Sequence, residues 1–123
     1  MKKVYTDKAP AAIGPYSQAM IANGFLYTSG QIGVIPATGE FAGDDIATQA
    51  AQVCENLKVV LEAAGASFEN VVKTMCFLSD MADFAAFNAV YEKYFVSKPA
   101  RSCVAIKQLP KNALCEVELI AEL

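Results

Sequence analysis

This chain predicts an α+β fold, one sheet with two helices packed on one face, and three observations lead there. Two stretches, Ile46 to Ala64 and Phe84 to Phe95, carry apolar residues at helical spacing. An Asn-Gly hairpin signal at Asn23-Gly24 precedes the first of them. An apolar run separates the helices and two more close the chain, so the order is β-β-α-β-α-β-β, with a short first strand at Val4 to Thr6. A length of 123 residues supplies one core, and residues 1–123 are read as a single domain.

Each element has its own warrant. Ala19-Met20-Ile21-Ala22 and Phe25-Leu26-Tyr27-Thr28-Ser29 flank the Asn-Gly pair, and a type I′ turn needs positive φ at both central positions. Gly30 to Gly43 reads as loop, punctuated by Gly33, Pro36 and Gly39. In the first helix Ile46, Ala50, Val53, Leu57, Val60, Leu61 and Ala64 form the apolar face. Gln49, Gln52, Glu55, Asn56 and Glu62 fall on the other. Asp44 or Asp45 can cap its start, and Gly65 suits the position just past its end. Val71 to Leu78 reads as a buried strand. The second helix follows Asp80 or Asp83, carries Phe84, Phe87, Tyr91 and Phe95 on one face, and is closed off by Pro99. Arg101 to Lys107 and Leu114 to Ala121 are the last strands, joined by Gln108 to Asn112.

Composition narrows the classes. The chain is 54% hydrophobic and 19% charged. Counting Gly in place of Tyr gives about 55% apolar residues against a usual ~45–50%. A domain this small has little polar material for its surface, so the excess implies a buried subunit interface and a homo-oligomer. Net charge is −3 and the lysines are scattered, which argues against a nucleic-acid surface. Met1 to Asp7 has no apolar run behind its two lysines, so no signal peptide is expected, and no stretch is long enough to span a membrane. Cys54, Cys76, Cys103 and Cys115 form no C-x-x-C pair and are expected as reduced thiols in cytosol.

The chain has no histidine. Histidine bases, histidine metal sites and Ser/His or Cys/His nucleophile pairs are therefore excluded, and no metal or organic cofactor is expected. It has a single arginine, Arg101, a planar, permanently charged fork suited to a carboxylate or phosphate. An ordinary surface or interface ion pair is an equally good reading of an arginine in such a place. Strand alternation sets Arg101 and Cys103 on one face of their strand. Glu116, Glu118 and Glu122 share a face of the last strand, which is usually a solvated one. Asn88 is a polar residue on the apolar stripe of the second helix and needs a partner. Gly14-Pro15-Tyr16 is an irregular approach to a strand. In Ser29-Gly30-Gln31 the glycine permits close approach of another group.

Taken together, Gly14-Pro15-Tyr16-Ser17-Gln18-Ala19, Thr28-Ser29-Gly30-Gln31-Ile32, Pro99-Ala100-Arg101-Ser102-Cys103-Val104, Leu109-Pro110-Lys111 and Cys115-Glu116-Val117-Glu118 closely resemble the RidA family of enamine/imine deaminases over essentially the whole chain. The segment between the second helix and Pro99 is short for that family. The resemblance implies a chorismate-mutase-like mixed sheet, a homotrimer with three clefts between subunits, and hydrolysis of 2-imino acids to 2-oxo acids and ammonia. Carried over, Arg101 would bind the substrate carboxylate and Glu116 would position or deprotonate water. The Gly30 and Cys103 backbones would orient the substrate, and Tyr16, Ser29 and Asn88 would line the pocket. If the last two strands paired as a hairpin, Ala105 would oppose Glu116 and Arg101 would stand ~13 Å further along. The expectation is that they do not pair, with Arg101 and Cys103 from one subunit and Glu116, Gly30 and Tyr16 from its neighbour. Two other readings use the same residues differently: a non-catalytic sensor of 2-oxo acids, and an RNA-cleaving or redox-activated chaperone protein.

Overall fold

A computed structural model describes residues 1–123. Its strands are β1 (Lys2–Val4), β2 (Ala19–Ala22), β3 (Phe25–Thr28), β4 (Gln31–Ile32), β5 (Val71–Leu78), β6 (Ala100–Ala105) and β7 (Cys115–Glu122). The helices are α1 (Ile46–Ala63) and α2 (Phe84–Tyr94). One sheet holds every strand in the order β1-β2-β3-β7-β5-β6, with β4 also on β7. Only β5 and β6 are parallel; the other pairs are antiparallel, so the sheet is mixed.

This order explains why both helices share a face. β4 and β5 each run antiparallel to β7, so they are parallel to one another, and α1 is the crossover between them. α2 is the crossover from β5 to β6. Both crossovers advance across the sheet in the same direction, and right-handed connections then put both helices on one side. The apolar faces meet there: Val53, Leu57, Val60 and Leu61 of α1 and Phe87 and Tyr91 of α2 join Cys76, Leu78, Val117, Leu119 and Ala121 in one core. Leu57 and Leu61 have no exposed surface, and each such side chain contributes roughly 1.5–3 kcal/mol by leaving water. No helix is long and apolar enough to cross a membrane.

Several local expectations hold. Asn23 and Gly24 have φ of 51° and 80°, as a type I′ turn requires. Asp45 caps α1 by accepting from the Thr48 N–H at 3.0 Å, and Gly65 follows the helix with φ 77°. Others need correction. The first strand is Lys2–Val4, not Val4 to Thr6. The segment read as loop from Gly30 to Gly43 contains β4 and a bridge between Val34 and Phe41. α2 ends at Tyr94, well before Pro99, and a single turn of 3-10 helix, Met81–Asp83, precedes it with Asp80 accepting from the Ala82 N–H. β6 stops at Ala105, and β7 runs one residue past Ala121.

Gln49 and Asn56, assigned by periodicity to the polar face of α1, are buried. Gln49 donates to the Gly43 carbonyl and accepts from the Leu114 N–H, both at 2.9 Å. Asn56 donates to the Ile32 and Val34 carbonyls at 3.2 and 2.9 Å. Each tethers irregular backbone to the helix, satisfying polar groups that would otherwise be buried without partners.

Candidate active site

The strand register decides which residues can meet. Residues directly opposite each other on paired strands project to the same side of a sheet. Arg101 stands opposite Thr74, which stands opposite Leu119. Thr74 and Leu119 are in the core, so Arg101 projects to the helix face, as does Cys103, the partner of Cys76. Glu116 stands opposite Phe77, whose other partner is Val104, and all three project to the face without helices. The last two strands do not form a hairpin, because β5 lies between them. Within one chain Arg101 and Glu116 are therefore on opposite sides of the sheet.

On the helix face, the Arg101 Nη1 donates to Asn88 Oδ1 at 2.6 Å. The centre of its guanidinium lies 4.6 Å from the Tyr91 ring centroid and 5.4 Å from that of Phe84. Its one side-chain hydrogen-bond partner is an amide, so this is not the ordinary ion pair of a surface arginine. A cleft opens here between Asn88, Tyr91, Lys98, Pro99 and Arg101. Asn88 is thus the satisfied amide that its place on an apolar stripe demanded, and Arg101 is what satisfies it.

On the other face, Gly30 and Glu116 are brought together by a bulge. Tyr27 pairs with Ile120 and Gln31 with Val117, so four residue steps on one side oppose three on the other. The extra residue falls at Thr28 to Gly30, and the Thr28 hydroxyl accepts the Leu119 N–H at 3.0 Å where the ladder is interrupted. Gly30 then lies so close to Glu116 that a Cβ there would stand 2.6 Å from Oε1. Half-burial, with the Glu118 charge adding to it, raises the Glu116 pKa above the usual carboxylate value. Ser29 donates to the Ser17 carbonyl at 2.6 Å and fastens the Tyr16 segment beside the bulge. Tyr16 is 53% exposed and lines a cleft with Gly30, Gln31, Ile13, Pro110 and Lys111. Gln18, from the same motif, bonds to the Thr6 N–H, the Thr6 carbonyl and the Pro10 carbonyl and is structural.

The candidate residues therefore fall into two sets: Arg101, Asn88 and Cys103 on one face, and Glu116, Gly30, Ser29 and Tyr16 on the other. The two clefts share no residue. The thiols are poor nucleophiles. Burial pushes Cys76 and Cys115 up to about 12, and raises Cys54 and Cys103 as well. Sequence reasoning assigned Phe84 and Tyr91 only to the core. Their signal was the polar Asn88 between them on the stripe.

An α+β protein with a mixed sheet backed by two helices, and with its candidate site residues divided between the sheet's faces, is the class defined here. Within that class, a family model described as Endoribonuclease L-PSP matches residues 6–123. The chain belongs to this family, the one to which the Pro99 to Val104 and Cys115 to Glu118 segments pointed. It is 52% identical over 126 residues to a RutC family protein of Synechocystis, covering 100% of this chain and 97% of that one. It is 48% identical over 121 residues to the chloroplastic Reactive Intermediate Deaminase A of Arabidopsis thaliana, covering 98% of this chain and 65% of the plant protein. Among solved structures, E. coli TdcF with bound serine matches at a TM-score of 0.95 and 41% identity, covering 100% of this chain and 99% of that one.

Proposed function

We propose that this protein hydrolyses 2-imino acids, 2-iminobutanoate and 2-iminopropanoate among them, to 2-oxo acids and ammonia, as a homotrimer with its sites between subunits. The observation that carries the reading is the divided site. Arg101 and Glu116 project from opposite faces of one sheet, so one small substrate meets both only where two copies adjoin. Arg101 and Asn88 would come from one subunit, and Glu116, Gly30, Ser29 and Tyr16 from the next. The serine held by the E. coli relative is a small 2-amino acid with the carboxylate frame of the proposed substrates.

The chemistry needs little more than these groups. The guanidinium grips the substrate carboxylate and fixes the imine carbon in line with a water beside Glu116. The Glu116 carboxylate takes a proton as the water oxygen bonds to the imine carbon. That proton passes to nitrogen, giving the carbinolamine. Glu116 then takes the hydroxyl proton and delivers it to nitrogen as well, so the C–N bond breaks and ammonia leaves as the carbonyl forms. A carboxyl with raised pKa suits both halves of that transfer. The electrophile is the imine itself, so the reaction calls for no metal or organic cofactor. A net charge of −3 with scattered lysines offers no track for a nucleic-acid backbone.

The test couples the protein to a threonine or serine dehydratase that releases the imine in solution. Faster appearance of 2-oxo acid than the uncatalysed rate supports the proposal. Tight binding of 2-oxobutanoate with no acceleration would replace it with the sensor reading.

A further inference from the structure

A substrate-binding arginine has a requirement that a structural one lacks: it must be held in a fixed pose without its charge being neutralised. The surroundings of Arg101 meet that requirement. Phe84, Asn88 and Tyr91 recur at i, i+4 and i+7 on α2, so they form one stripe of the helix. The stripe lies over β6 because α2 is the crossover that leads into it. Asn88 takes one N–H of the guanidinium at 2.6 Å, and the two rings stand 4.6 and 5.4 Å from its centre.

We propose that Phe84, Asn88 and Tyr91 form a clamp that presets the Arg101 guanidinium for an anion, with Tyr91 as its principal positioning residue. The use of that pose for an imino acid carboxylate rests on the function proposed above.

Tyr91 is itself immobilised. Its hydroxyl pairs with Thr74 Oγ1 at 2.7 Å, and Thr74 is fully buried and stands opposite Arg101 on β5. Its ring stacks on Phe95 with centroids 4.2 Å apart and planes 19° from parallel. The contacts close a loop: Arg101 lies on Tyr91, Tyr91 bonds to Thr74, and Thr74 is the strand neighbour of Arg101. Every partner in the loop is neutral. Burial pushes the Tyr91 hydroxyl up to about 12, so no phenolate forms beneath the cation at ordinary pH. A carboxylate in the same place would also orient the arginine, but it would occupy the fork that the substrate needs. Rings and an amide orient it while leaving the remaining N–H groups for a two-pronged anion. An arginine without such a clamp would lose its rotamer freedom on each binding event, which weakens binding.

Arg101 is the only arginine in the chain, which makes the clamp directly observable. Arginine-selective nitrogen-15 labelling gives one side-chain Nε–Hε signal. In the parent, the signal and those of the adjacent methylene protons should be displaced upfield by the two rings. Tyr91→Phe keeps the ring and should keep the displacement. Tyr91→Leu should return the signals most of the way to free arginine and weaken 2-oxobutanoate binding roughly five- to thirtyfold, the range expected for a lost cation–π contact. Tyr91→Phe should bind far better than Tyr91→Leu, although both lose the Thr74 bond and its stability; a merely structural tyrosine would not give that split. If Tyr91→Leu fails to fold, the half-buried Phe84→Leu and Asn88→Ala variants decide, and unchanged signals and binding in both would overturn the clamp. So would a parent signal at the position of free arginine. A parent with the displaced signal but no affinity for 2-oxobutanoate would overturn the proposed substrate and leave the clamp standing.

Discussion

Two glycines three residues apart should fail in opposite ways when each receives the same methyl group. A Cβ on Gly30 would stand 2.6 Å from Glu116 Oε1, 2.7 Å from its Cδ and 2.9 Å from its Cγ. A Cβ on Gly33 would stand 2.6 Å from the Gln49 carbonyl oxygen and 2.8 Å from the Gln49 Cα. The first obstacle is the end of a flexible side chain, which can swing aside. The second is the backbone of α1, which cannot move alone. Ordinary contact begins at 3.4 Å, so Gly30→Ala drives the Glu116 oxygen back by about 0.8 Å. A displacement on the order of 1 Å at a reacting group costs about 10²-fold in rate. Gly30→Ala should therefore lose about 10²-fold in turnover, with 2-oxobutanoate binding and thermal midpoint little changed. Gly33→Ala should instead lose ~1–3 kcal/mol of stability to overpacking, roughly 3–15 °C in midpoint, and its folded fraction should turn over like the parent. The dehydratase-coupled rate, calorimetric binding and a thermal scan on both variants separate the cases. Parent-like turnover in Gly30→Ala, or equal losses of midpoint in the two variants, would refute the assignment of Glu116.

Other substitutions test the two faces separately. Arg101→Lys keeps the charge but not the fork, so it should lose both 2-oxobutanoate binding and nearly all turnover; normal binding in calorimetry would dismiss Arg101 as the anchor. Glu116→Gln should bind the product analogue but turn over roughly 10²–10⁴-fold more slowly, nearer the lower end because the imine hydrolyses readily by itself; a parent-like coupled rate would remove Glu116 from the mechanism. The same variant has a pH signature. The Glu116 pKa is raised in the folded protein, so its stabilising contribution is fully present below the unfolded carboxyl pKa and is lost as pH rises through the folded one. Glutamine stays neutral throughout, so Glu116→Gln should melt above the parent at neutral pH and the gap should close on acidification; a gap that widens in acid would contradict the shift. Light scattering should report a trimer of 13.1 kDa subunits at micromolar concentration, and a monomer would sink the shared site.

What the sequence revealed and what it hid follow from the range of the interactions involved. The Asn23-Gly24 turn and the Asp45 cap are local, fixed by φ or by a hydrogen bond within one turn, and both were readable. β4 was not. A two-residue strand has no alternation to detect, and it exists because β7, contributed by the far end of the chain, lies beside it. Gln49 and Asn56 were misplaced for a related reason. Periodicity records polarity, and these amides are buried because carbonyls at the end of β4 and in the loop after it, and the Leu114 N–H, need partners. The candidate residues were named by motif, and the absence of a hairpin between the last strands was anticipated from reach along a strand. The division between faces was not readable, because it depends on β5 standing between β6 and β7 and on which partner each residue meets.

That division links the apolar composition to the proposed chemistry. On the face without helices, Glu116 and Glu118 alternate with core positions and lie among Met75, Phe77 and Ile120, all only partly covered, with Tyr27 43% and Val104 42% exposed. Left in water, this surface would keep Glu116 half-solvated and Arg101 out of reach. On the proposed assembly a neighbouring subunit covers it, which removes apolar area from solvent and brings that neighbour's arginine to the carboxylate. The same contact deepens the burial that already raises the Glu116 pKa, favouring proton uptake at the step where water attacks. A substitution that weakens the interface should thus reduce activity before it unfolds the subunit. Val104→Asp is the direct trial, since Val104 is exposed in the single chain and stands on the Glu116 face. It should yield a folded, smaller species with little turnover at dilution, and recovery of both size and rate on concentration. Full turnover from a monomer would show that one chain completes the site alone, against the register.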